Sequence, residues 1–198
     1  MSLGLFGYGS LVLTESASMT LGRPAGELCP VRLHDWRRRF SQRRDNLTCE
    51  KTFECEGGWR PEWILGLNVE EGEDEAGPVN GVVIELTGAE LERLDIREIR
   101  YDRVDVTAAI ALDSGGPGTE HGFDRVIAYT AKPRHHHPTA PDDAVIVATY
   151  PAAVEAAFDA LGPGQLDVFR ATTAPPPAPF VDGALVRDEI PPGNPRAW

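Results

Sequence analysis

Two short segments of the sequence combine residue types that could do chemistry. The first is the run FGYGSL at residues 6–11, which ends a short apolar stretch. Its two glycines allow a sharp turn and let a ligand approach the main chain closely. The successive N–H groups of Gly9, Ser10 and Leu11 could then form a nest for a carboxylate or a polarised carbonyl oxygen. On the pattern alone, an ordinary turn at the end of a strand is the commoner structure.

The second segment is the run LDIREIRY at residues 94–101, where Glu98 lies between Arg97 and Arg100. Charged side chains at a junction between a helix and a strand can point back towards a sheet. From residue types alone, a solvated turn with Glu98 paired to one of these arginines is the commoner arrangement, because most carboxylates are surface groups. Neither segment therefore defines a site by itself.

Hydrophobic patterning predicts the elements that must position these segments. A buried strand is expected over residues 3–8 and a short helix over residues 14–21. Thr87 and Glu90 fit a capping box at the start of the helix that precedes Glu98. The remaining predictions are helix at 151–161 and strands at 31–40, 64–70, 78–86, 101–112 and 123–131.

These elements do not alternate regularly between strand and helix, which favours an α+β domain over a doubly wound parallel sheet. We expect a small curled mixed β-sheet or barrel flanked by a few helices. Residues 1–173 are predicted to form one domain. Residues 174–198 are rich in proline and are predicted to form an extended tail, wrapped on the body or partly disordered.

Charge and hydropathy limit the classes of partner. The net charge of −12 disfavours nucleic-acid binding. A basic cluster within residues 37–44 is interpreted as a solvated or ion-paired surface that could attract a small anion, and the acidic residues of 70–75 as an exposed loop. No apolar run is long enough to cross a bilayer, and we see no secretory signal, so a cytoplasmic location is expected. The oligomeric state is left open.

The sequence gives no indication of a metal or cofactor site. Its three cysteines lack CxxC spacing, which predicts reduced thiols and neither a disulfide framework nor a zinc site. The three adjacent histidines at 135–137 are interpreted as a solvated loop, because neighbours in a strand point to opposite faces. The glycines at 7 and 9 are not followed by the third glycine of a dinucleotide-binding fingerprint, since position 12 is Val12.

Taken together and in this order, the two segments resemble the γ-glutamylcyclotransferase superfamily, which includes the ChaC-type and AIG2-like proteins. The resemblance covers residues 3–131 and leaves the tail unmatched. It implies that Tyr8, Gly9, Ser10 and Leu11 form the loop that holds a γ-glutamyl group. Leu94, Asp95, Arg97, Glu98 and Tyr101 match the element that carries the catalytic glutamate. Arg100 departs from the pattern, because many members have glycine there, and this puts the identity of the substrate in doubt.

The resemblance implies an internal acyl transfer on a small-molecule γ-glutamyl substrate. The α-amine attacks its own γ-carbonyl, 5-oxoproline forms, and the attached amine leaves, without cofactor or metal. Glu98 is then the catalytic residue that moves the proton, and Tyr8 and Tyr101 line the pocket or bind substrate. An exposed glutamate is a poor base for an ammonium group, so we expect Glu98 to be partly buried.

Three alternatives stay open, and the least specific of them is a soluble α+β domain of unknown activity. The leaving group could be that of a γ-glutamyl amino acid, a γ-glutamylamine or glutathione, and the sequence does not choose among them. The chain could also be a non-catalytic ligand-binding or interaction module on the same scaffold, with the Pro-rich tail facing a partner. A carboxylate placed to meet a substrate amine favours the enzyme.

Overall fold

A computed structural model describes residues 2–26, 28–72, 76–113, 122–189 and 193–195. Its strands and helices alternate irregularly along the chain, and no helix in the described residues is long and apolar enough to cross a membrane. The strands are β1 (Leu3–Gly7), β2 (Cys29–Leu33), β3 (Trp36–Asp45), β4 (Lys51–Cys55), β5 (Trp63–Glu71), β6 (Val79–Leu86), β7 (Tyr101–Asp105), β8 (Ile110–Leu112), β9 (Arg125–Ala131), β10 (Ala144–Val147), β11 (Phe180–Val181) and β12 (Gly183–Asp188). The helices are α1 (Thr14–Leu21), α2 (Gly88–Arg97), α3 (Thr149–Ala160) and α4 (Gln165–Ala171).

The largest sheet has six strands in the order β7-β9-β1-β6-β2-β8. β1 lies in its interior, antiparallel to β6 and parallel to β9. Both faces of β6 are buried, which explains its nearly continuous run of apolar residues. A position this deep fixes the end of β1 firmly, and the FGYGSL run begins there.

A second sheet has four strands in the order β11-β10-β5-β3, and β4 pairs with β12 in a separate two-stranded ribbon. The long strands β3 and β5 run antiparallel with a register shift between Phe40 and Gln42. The α+β class and the mixed sheet are therefore confirmed, whereas the sheets formed by the described residues stay open and do not close into a barrel.

Helix α2 begins with the predicted capping box. The backbone N–H of Glu90 donates to Thr87 Oγ1 over 3.3 Å, and the N–H of Thr87 donates to Glu90 Oε2 over 2.7 Å. Leu94 is fully buried and anchors the helix on the core. The helix ends at Glu98, whose backbone N–H still donates to the carbonyl oxygen of Leu94. The cap and the apolar contact together set where the helix stops and hence where Glu98 lies.

Two predicted strands are each divided in the structure. Residues 31–40 contain a turn between β2 and β3, where Asp35 has a left-handed backbone with φ 63°. Residues 101–112 contain a helical turn after Val106, and the two halves become β7 and β8 at opposite ends of the six-stranded sheet. The side chain of Asp105 stabilises that turn by accepting from the N–H and hydroxyl of Thr107. Local hydrogen bonding of this kind competes with strand pairing.

The basic cluster within residues 37–44 is not simply a solvated surface. Arg38 is fully buried, with its guanidinium 5.0 Å from the ring centre of Phe158 and 4.5 Å from that of Phe169. Burial lowers the pKa of this guanidinium. Arg38 donates to the side-chain oxygen of Asn80 over 2.9 Å. Alternation along β3 turns one of these arginines into the core, and a run of similar residues hides this in the sequence.

The structure also differs from the prediction that the acidic residues of 70–75 form an exposed loop. Glu70 and Glu71 belong to β5, and Glu70 accepts from the hydroxyl of Ser41 over 2.9 Å. The other acidic residues of that prediction, Glu73, Asp74 and Glu75, lie outside the described residues. The three histidines lie in and after a short helical turn at residues 133–135.

The Pro-rich tail takes part in both smaller sheets. β11 pairs with β10, and β12 pairs with β4 along the register from Gly183–Cys55 to Asp188–Lys51. The side-chain amide of Asn194 then donates to the carbonyl oxygen of Ile96 near the end of α2. Residues 190–192 and 196–198 of the predicted tail lie outside the described residues. Through Asn194 the tail contacts the last turn of α2, which ends next to Glu98.

Candidate active site

Two adjoining cavities lie between the end of β1, the end of α2 and the ribbon of β4 and β12. The larger has a volume of about 410 Å³ and the smaller about 50 Å³. Four residues line both cavities and so mark the place where they meet: Ser10, Glu98, Tyr101 and Tyr150. A cavity of the larger size is typical of small-molecule sites.

The FGYGSL loop forms one wall of the smaller cavity, through residues 6–11. After β1 the chain makes a helical turn over Ser10–Val12, in which the N–H of Val12 donates to the carbonyl oxygen of Gly9. The first N–H groups of such a turn have no acceptor within the turn itself. The nest predicted from the glycine spacing is therefore compatible with the local backbone.

Gly9 occupies a position where a larger residue would not fit without movement. A Cβ atom built on it would lie 3.0 Å from the hydroxyl oxygen of Tyr150 and 3.8 Å from Leu67 Cδ1. Tyr150 belongs to the first turn of α3. The glycine thus lets the loop pass close to a phenol that lines both cavities.

Glu98 lies at the junction of the cavities and is partly buried, as the sequence predicts. Its side chain is 16% exposed. Its backbone closes the end of α2, and its carbonyl oxygen accepts from the N–H of Tyr101 over 2.8 Å, which starts β7 at once. This tight change from helix to strand holds the carboxylate at the cavity instead of in solvent.

Arg97 lies beside Glu98 and is buried, with 5% of its side chain exposed. Its Nε is 2.8 Å from Glu98 Oε1, and its Nη2 donates to Ser10 Oγ over 2.9 Å and to Ser16 Oγ over 3.1 Å. Its Nη1 donates to Thr20 Oγ1. The arginine–glutamate contact expected of a surface turn does form, but within the protein, where it connects α2, α1 and the loop.

All four tyrosines of the sequence line the smaller cavity: Tyr8, Tyr101, Tyr129 and Tyr150. Tyr8 donates to the carbonyl oxygen of Tyr129 over 2.6 Å, and Tyr101 to that of Leu67 over 2.9 Å. Tyr129 donates to Asp95 Oδ1 over 2.8 Å. The four phenols thus line the same small cavity as Glu98.

Every one of these phenols has a raised pKa, for related reasons. Burial raises the pKa of Tyr8 and of Tyr150, and the nearby charge of Glu98 adds to this. Burial also raises the pKa of Tyr101, followed by its neighbouring tyrosines and Glu98. For Tyr129, burial comes first and the hydrogen bond to Asp95 second. At neutral pH the phenols are therefore protonated and can act as hydrogen-bond donors.

The larger cavity has a mixed wall of cations and apolar side chains. Arg100 lines it and forms two hydrogen bonds to Glu50, over 2.9 Å and 2.5 Å. Burial alone would lower the pKa of Arg100, but the hydrogen bonds and charge of Glu50 outweigh it, and the pKa is raised. Arg100, which stands where many members of the family have glycine, therefore adds a positive charge to the cavity wall, and Glu50 holds that charge in place.

The structure places all six predicted site residues around the two cavities. Tyr8, Gly9 and Leu11 line the smaller one, while Ser10, Glu98 and Tyr101 line both. Sequence reasoning missed Tyr150, Tyr129 and the β4–β12 ribbon as parts of the site. The chain has only four tyrosines, which could have marked them as candidates for the site. Their positions, however, are spread over residues 8–150 and share no regular spacing.

Comparison with known proteins identifies the fold. A structure of a γ-glutamyl cyclotransferase matches with a TM-score of 0.60 at 17% identity, over 89% of each chain. An uncharacterised protein from Homo sapiens matches with a TM-score of 0.60 at 18% identity, over 88% of this chain and 89% of that one. YkqA from Bacillus subtilis matches at 0.55 and 15% identity, over 85% of this chain and 53% of YkqA.

No protein-family model matches the sequence, and no curated protein matches it. The matching structures nevertheless show that the chain has the γ-glutamylcyclotransferase-like fold. At the level of structure, this confirms the resemblance drawn from the two segments. At such low identity the comparisons describe the fold, and the chemistry must be argued from the site.

Proposed function

We propose that this protein is a γ-glutamylcyclotransferase-type enzyme. It converts the γ-glutamyl group of a small molecule to 5-oxoproline and releases the attached amine. The observation that supports this most directly is the position of Glu98, a partly buried carboxylate at the junction of two cavities beside the FGYGSL loop. The similarity of the fold to a γ-glutamyl cyclotransferase supports the same proposal.

In the proposed reaction, the nitrogen of the α-amine attacks the γ-carbonyl carbon of the same glutamyl unit. A C–N bond forms in the new five-membered ring, and the C–N bond to the leaving amine breaks. Glu98 takes a proton from the attacking nitrogen and gives it to the departing one, so that no water is consumed. Folding the substrate into the attack geometry saves the entropy of bringing two reactants together.

The γ-glutamyl unit would lie where the two cavities meet, against the FGYGSL loop. Backbone N–H groups of the loop at Gly9, Ser10 and Leu11 can donate to the oxygen that gains negative charge during attack. The hydroxyl protons of Tyr8 and Tyr101 are engaged with the carbonyl oxygens of Tyr129 and Leu67, so their phenol oxygens can accept a hydrogen bond from the substrate amine. Because the pKa values of Tyr8, Tyr101 and Tyr150 are raised, these phenols stay protonated and do not serve as bases. Among the described residues that line the cavities, Glu98 is the carboxylate available for proton transfer.

The alternative of a non-catalytic binding module fits the same pocket. It gives no reason for a carboxylate at the junction, held there by a buried arginine that also contacts the loop. The two hypotheses differ in one measurable product, which is 5-oxoproline.

The decisive experiment is a comparison of wild type with Glu98→Gln on γ-glutamyl-alanine, γ-glutamyl-ε-lysine and glutathione. Wild type should release 5-oxoproline from at least one of them. Loss of the proton-transferring carboxylate should lower kcat by about 100-fold or more. Glu92→Gln, an exposed carboxylate on the same helix, is the matched control and should behave as wild type.

A folded wild-type protein that binds these compounds and releases no 5-oxoproline would support the binding module instead. Full activity of a folded Glu98→Gln variant would remove Glu98 from the mechanism. Circular dichroism of each variant separates these results from a loss of structure.

A further inference from the structure

We infer that the larger cavity is a leaving-group subsite for an uncharged, apolar body. The substrates are then γ-glutamyl amides of bulky apolar amines, and not γ-glutamyl compounds whose leaving group carries a carboxylate. This inference rests on the proposed function, because it takes from it the position of the γ-glutamyl unit where the two cavities meet. It gives the β4–β12 ribbon a role, which is to supply part of the apolar wall.

Strand β5 and helix α3 both lead from the junction into the larger cavity. A Cβ atom built on Gly66 would lie 3.7 Å from the hydroxyl of Tyr101, and Ile64 follows two residues away on the same face of β5, at about 7 Å. On α3, Tyr150 lines both cavities, while Ala153, one turn later, lines only the larger. The space beyond the junction is therefore continuous with the reacting centre, and a group attached through the departing nitrogen extends into it.

Apolar side chains line the larger cavity beyond the junction. Phe53 and Leu185 are cross-strand partners in the β4–β12 ribbon, so their side chains lie on the same side of it. Phe53 also packs against Ile64 and Val147, which belong to a small apolar cluster separate from the main core. Leu185 is 37% exposed. A ligand in the cavity would therefore cover apolar surface that now faces water, and this gains free energy.

The cations on the wall are engaged within the protein and do not require a substrate anion. Among the described residues that line the cavity, each cation has a partner: Arg97 with Glu98 at 2.8 Å, Arg100 with Glu50 at 2.5 Å, Lys51 with Asp188 at 3.7 Å, and Arg44 with the ring centre of Phe53 at 5.2 Å. A carboxylate on the leaving group would have to compete with these contacts, and its removal from water is costly. An uncharged group leaves all of them intact.

The volume of the larger cavity allows a leaving group of aromatic size. It measures about 410 Å³, whereas one water molecule needs only about 10–15 Å³ of such space. The cavity can thus accept part of the γ-glutamyl unit at the junction and an aromatic ring beyond it. A small leaving group such as methylamine would leave most of the apolar wall uncovered.

Three substrates separate apolar size from charge. γ-Glutamyl-phenethylamine has the apolar body alone, γ-glutamyl-methylamine lacks that body, and γ-glutamyl-phenylalanine adds a carboxylate to it. We expect kcat/KM for the phenethylamine compound to exceed that for the methylamine compound by about tenfold or more, because more apolar surface is buried. It should exceed that for the phenylalanine compound by about fivefold or more, because the carboxylate loses its hydration.

Filling the cavity from α3 tests where the apolar body lies. Ala153→Leu should lower kcat/KM for γ-glutamyl-phenethylamine by about tenfold and leave γ-glutamyl-methylamine within about twofold, because the new side chain occupies space that only the larger group needs. Ala152→Leu is the matched control, since Ala152 is exposed on the same helix and lines neither cavity. A change in the ratio between the two substrates is not produced by lost stability alone.

A polar side chain on the ribbon tests the apolar wall itself. Leu185→Asn should lower kcat/KM for γ-glutamyl-phenethylamine several-fold and leave γ-glutamyl-methylamine within about twofold. Val186→Asn is the matched control, because Val186 is the next residue, is also exposed and does not line the cavity. Leu185→Asn carries the test if Ala153→Leu does not fold.

Binding measured on the Glu98→Gln variant keeps this inference separate from the chemistry. Calorimetry should give the tightest binding for γ-glutamyl-phenethylamine, whether or not wild type turns any of the three compounds over. That order of affinities without 5-oxoproline from wild type would preserve the subsite and end the proposed chemistry. If γ-glutamyl-phenethylamine binds no more tightly than either of the other two compounds, the subsite is overturned, and 5-oxoproline release by wild type would still support the chemistry.

Discussion

Arg97 joins the two segments that carry the candidate chemistry, because one guanidinium contacts both Glu98 and Ser10. The Nε atom lies 2.8 Å from the Glu98 carboxylate, and the Nη2 atom donates to the Ser10 hydroxyl over 2.9 Å. Residues 87 positions apart in the chain are thereby tied together at the junction of the cavities. The arginine fixes where the carboxylate lies relative to the loop that would hold the substrate carbonyl.

Replacing Arg97 with lysine tests this positioning. Lysine keeps the charge, but it lacks the planar fork that reaches Glu98, Ser10 and Ser16 together. We expect Arg97→Lys to lower kcat by about tenfold to 100-fold with a smaller effect on KM, since orientation is lost more than binding. The measurement is steady-state 5-oxoproline release, with thermal unfolding followed in parallel.

Arg93→Lys is the control for that experiment. Arg93 lies one turn earlier on α2 and donates to the carbonyl oxygen of Thr20 over 2.8 Å, but it does not contact Glu98 or the loop. It should lose little activity. Equal losses of kcat in both variants would mean that Arg97 acts through the stability of the helix packing alone.

A methyl group at Gly9 should disturb the loop through Tyr150. Because the new Cβ would lie 3.0 Å from the Tyr150 hydroxyl, either the loop or the phenol must shift. We expect Gly9→Ala to lower kcat/KM by about tenfold or more and to cost about 1–3 kcal/mol of unfolding free energy. Adding Tyr150→Phe removes the crowding oxygen and should recover part of the lost stability.

Gly88→Ala provides the comparison for Gly9. It lies at the start of α2, and a Cβ there would meet nothing within 4 Å. Alanine is a better helix former than glycine, so this variant should be as stable as wild type or more stable, with unchanged activity. If Gly9→Ala also left stability and activity unchanged, the close approach of the loop to the Tyr150 phenol would not matter for function.

The cap of α2 should matter for stability more than for chemistry. Thr87→Ala removes the acceptor for the Glu90 N–H and should cost about 1 kcal/mol in denaturant-induced unfolding. Thr87→Ser keeps the hydroxyl and should restore most of that free energy. An Ala variant as stable as wild type would show that packing of Leu94 alone holds the helix in place.

The sequence predicted those parts of the fold in which local signals and burial agree. The capping box at Thr87 and Glu90 and the buried strand β6 are examples, since hydrogen bonding or apolar content alone specifies them. The break at Val106 was not predictable from alternation, because the pattern continues through residues 101–112 while the Asp105–Thr107 hydrogen bonds redirect the chain. Strand β4 was not predicted, because Lys51–Cys55 is short and mixes polar and apolar residues.

The candidate site was predictable only where the residues lie in one of the two segments. Glu98 and the FGYGSL loop were found through their order in the chain and the resemblance that this order supports. Tyr150 and the wall of the larger cavity come from elements that are distant in sequence and meet only through tertiary packing. Leu185 belongs to a tail whose proline content indicates an extended chain but not the strand with which it pairs.

The four tyrosines allow the site to be followed by their own ionisation. Each has a pKa raised above the ordinary value of about 10, first because of burial. Since these are all the tyrosines in the chain, the native protein should show almost no phenolate absorbance near pH 10. Protein unfolded in urea should titrate all four there.

The sign of the linked effect on stability follows from which state holds the protons. Between the ordinary tyrosine pKa and the raised native one, the unfolded chain binds fewer protons than the folded chain, so stability is present below about pH 10 and falls as the pH rises. Each buried phenol contributes a slope of up to about 1.4 kcal/mol per pH unit in that window. Urea unfolding at a series of pH values should therefore show a steep alkaline loss, coincident with the appearance of phenolate. A single tyrosine that ionises near pH 10 while the far-ultraviolet circular dichroism stays native would show that its phenol is open to water, and the burial assigned to that tyrosine would be wrong.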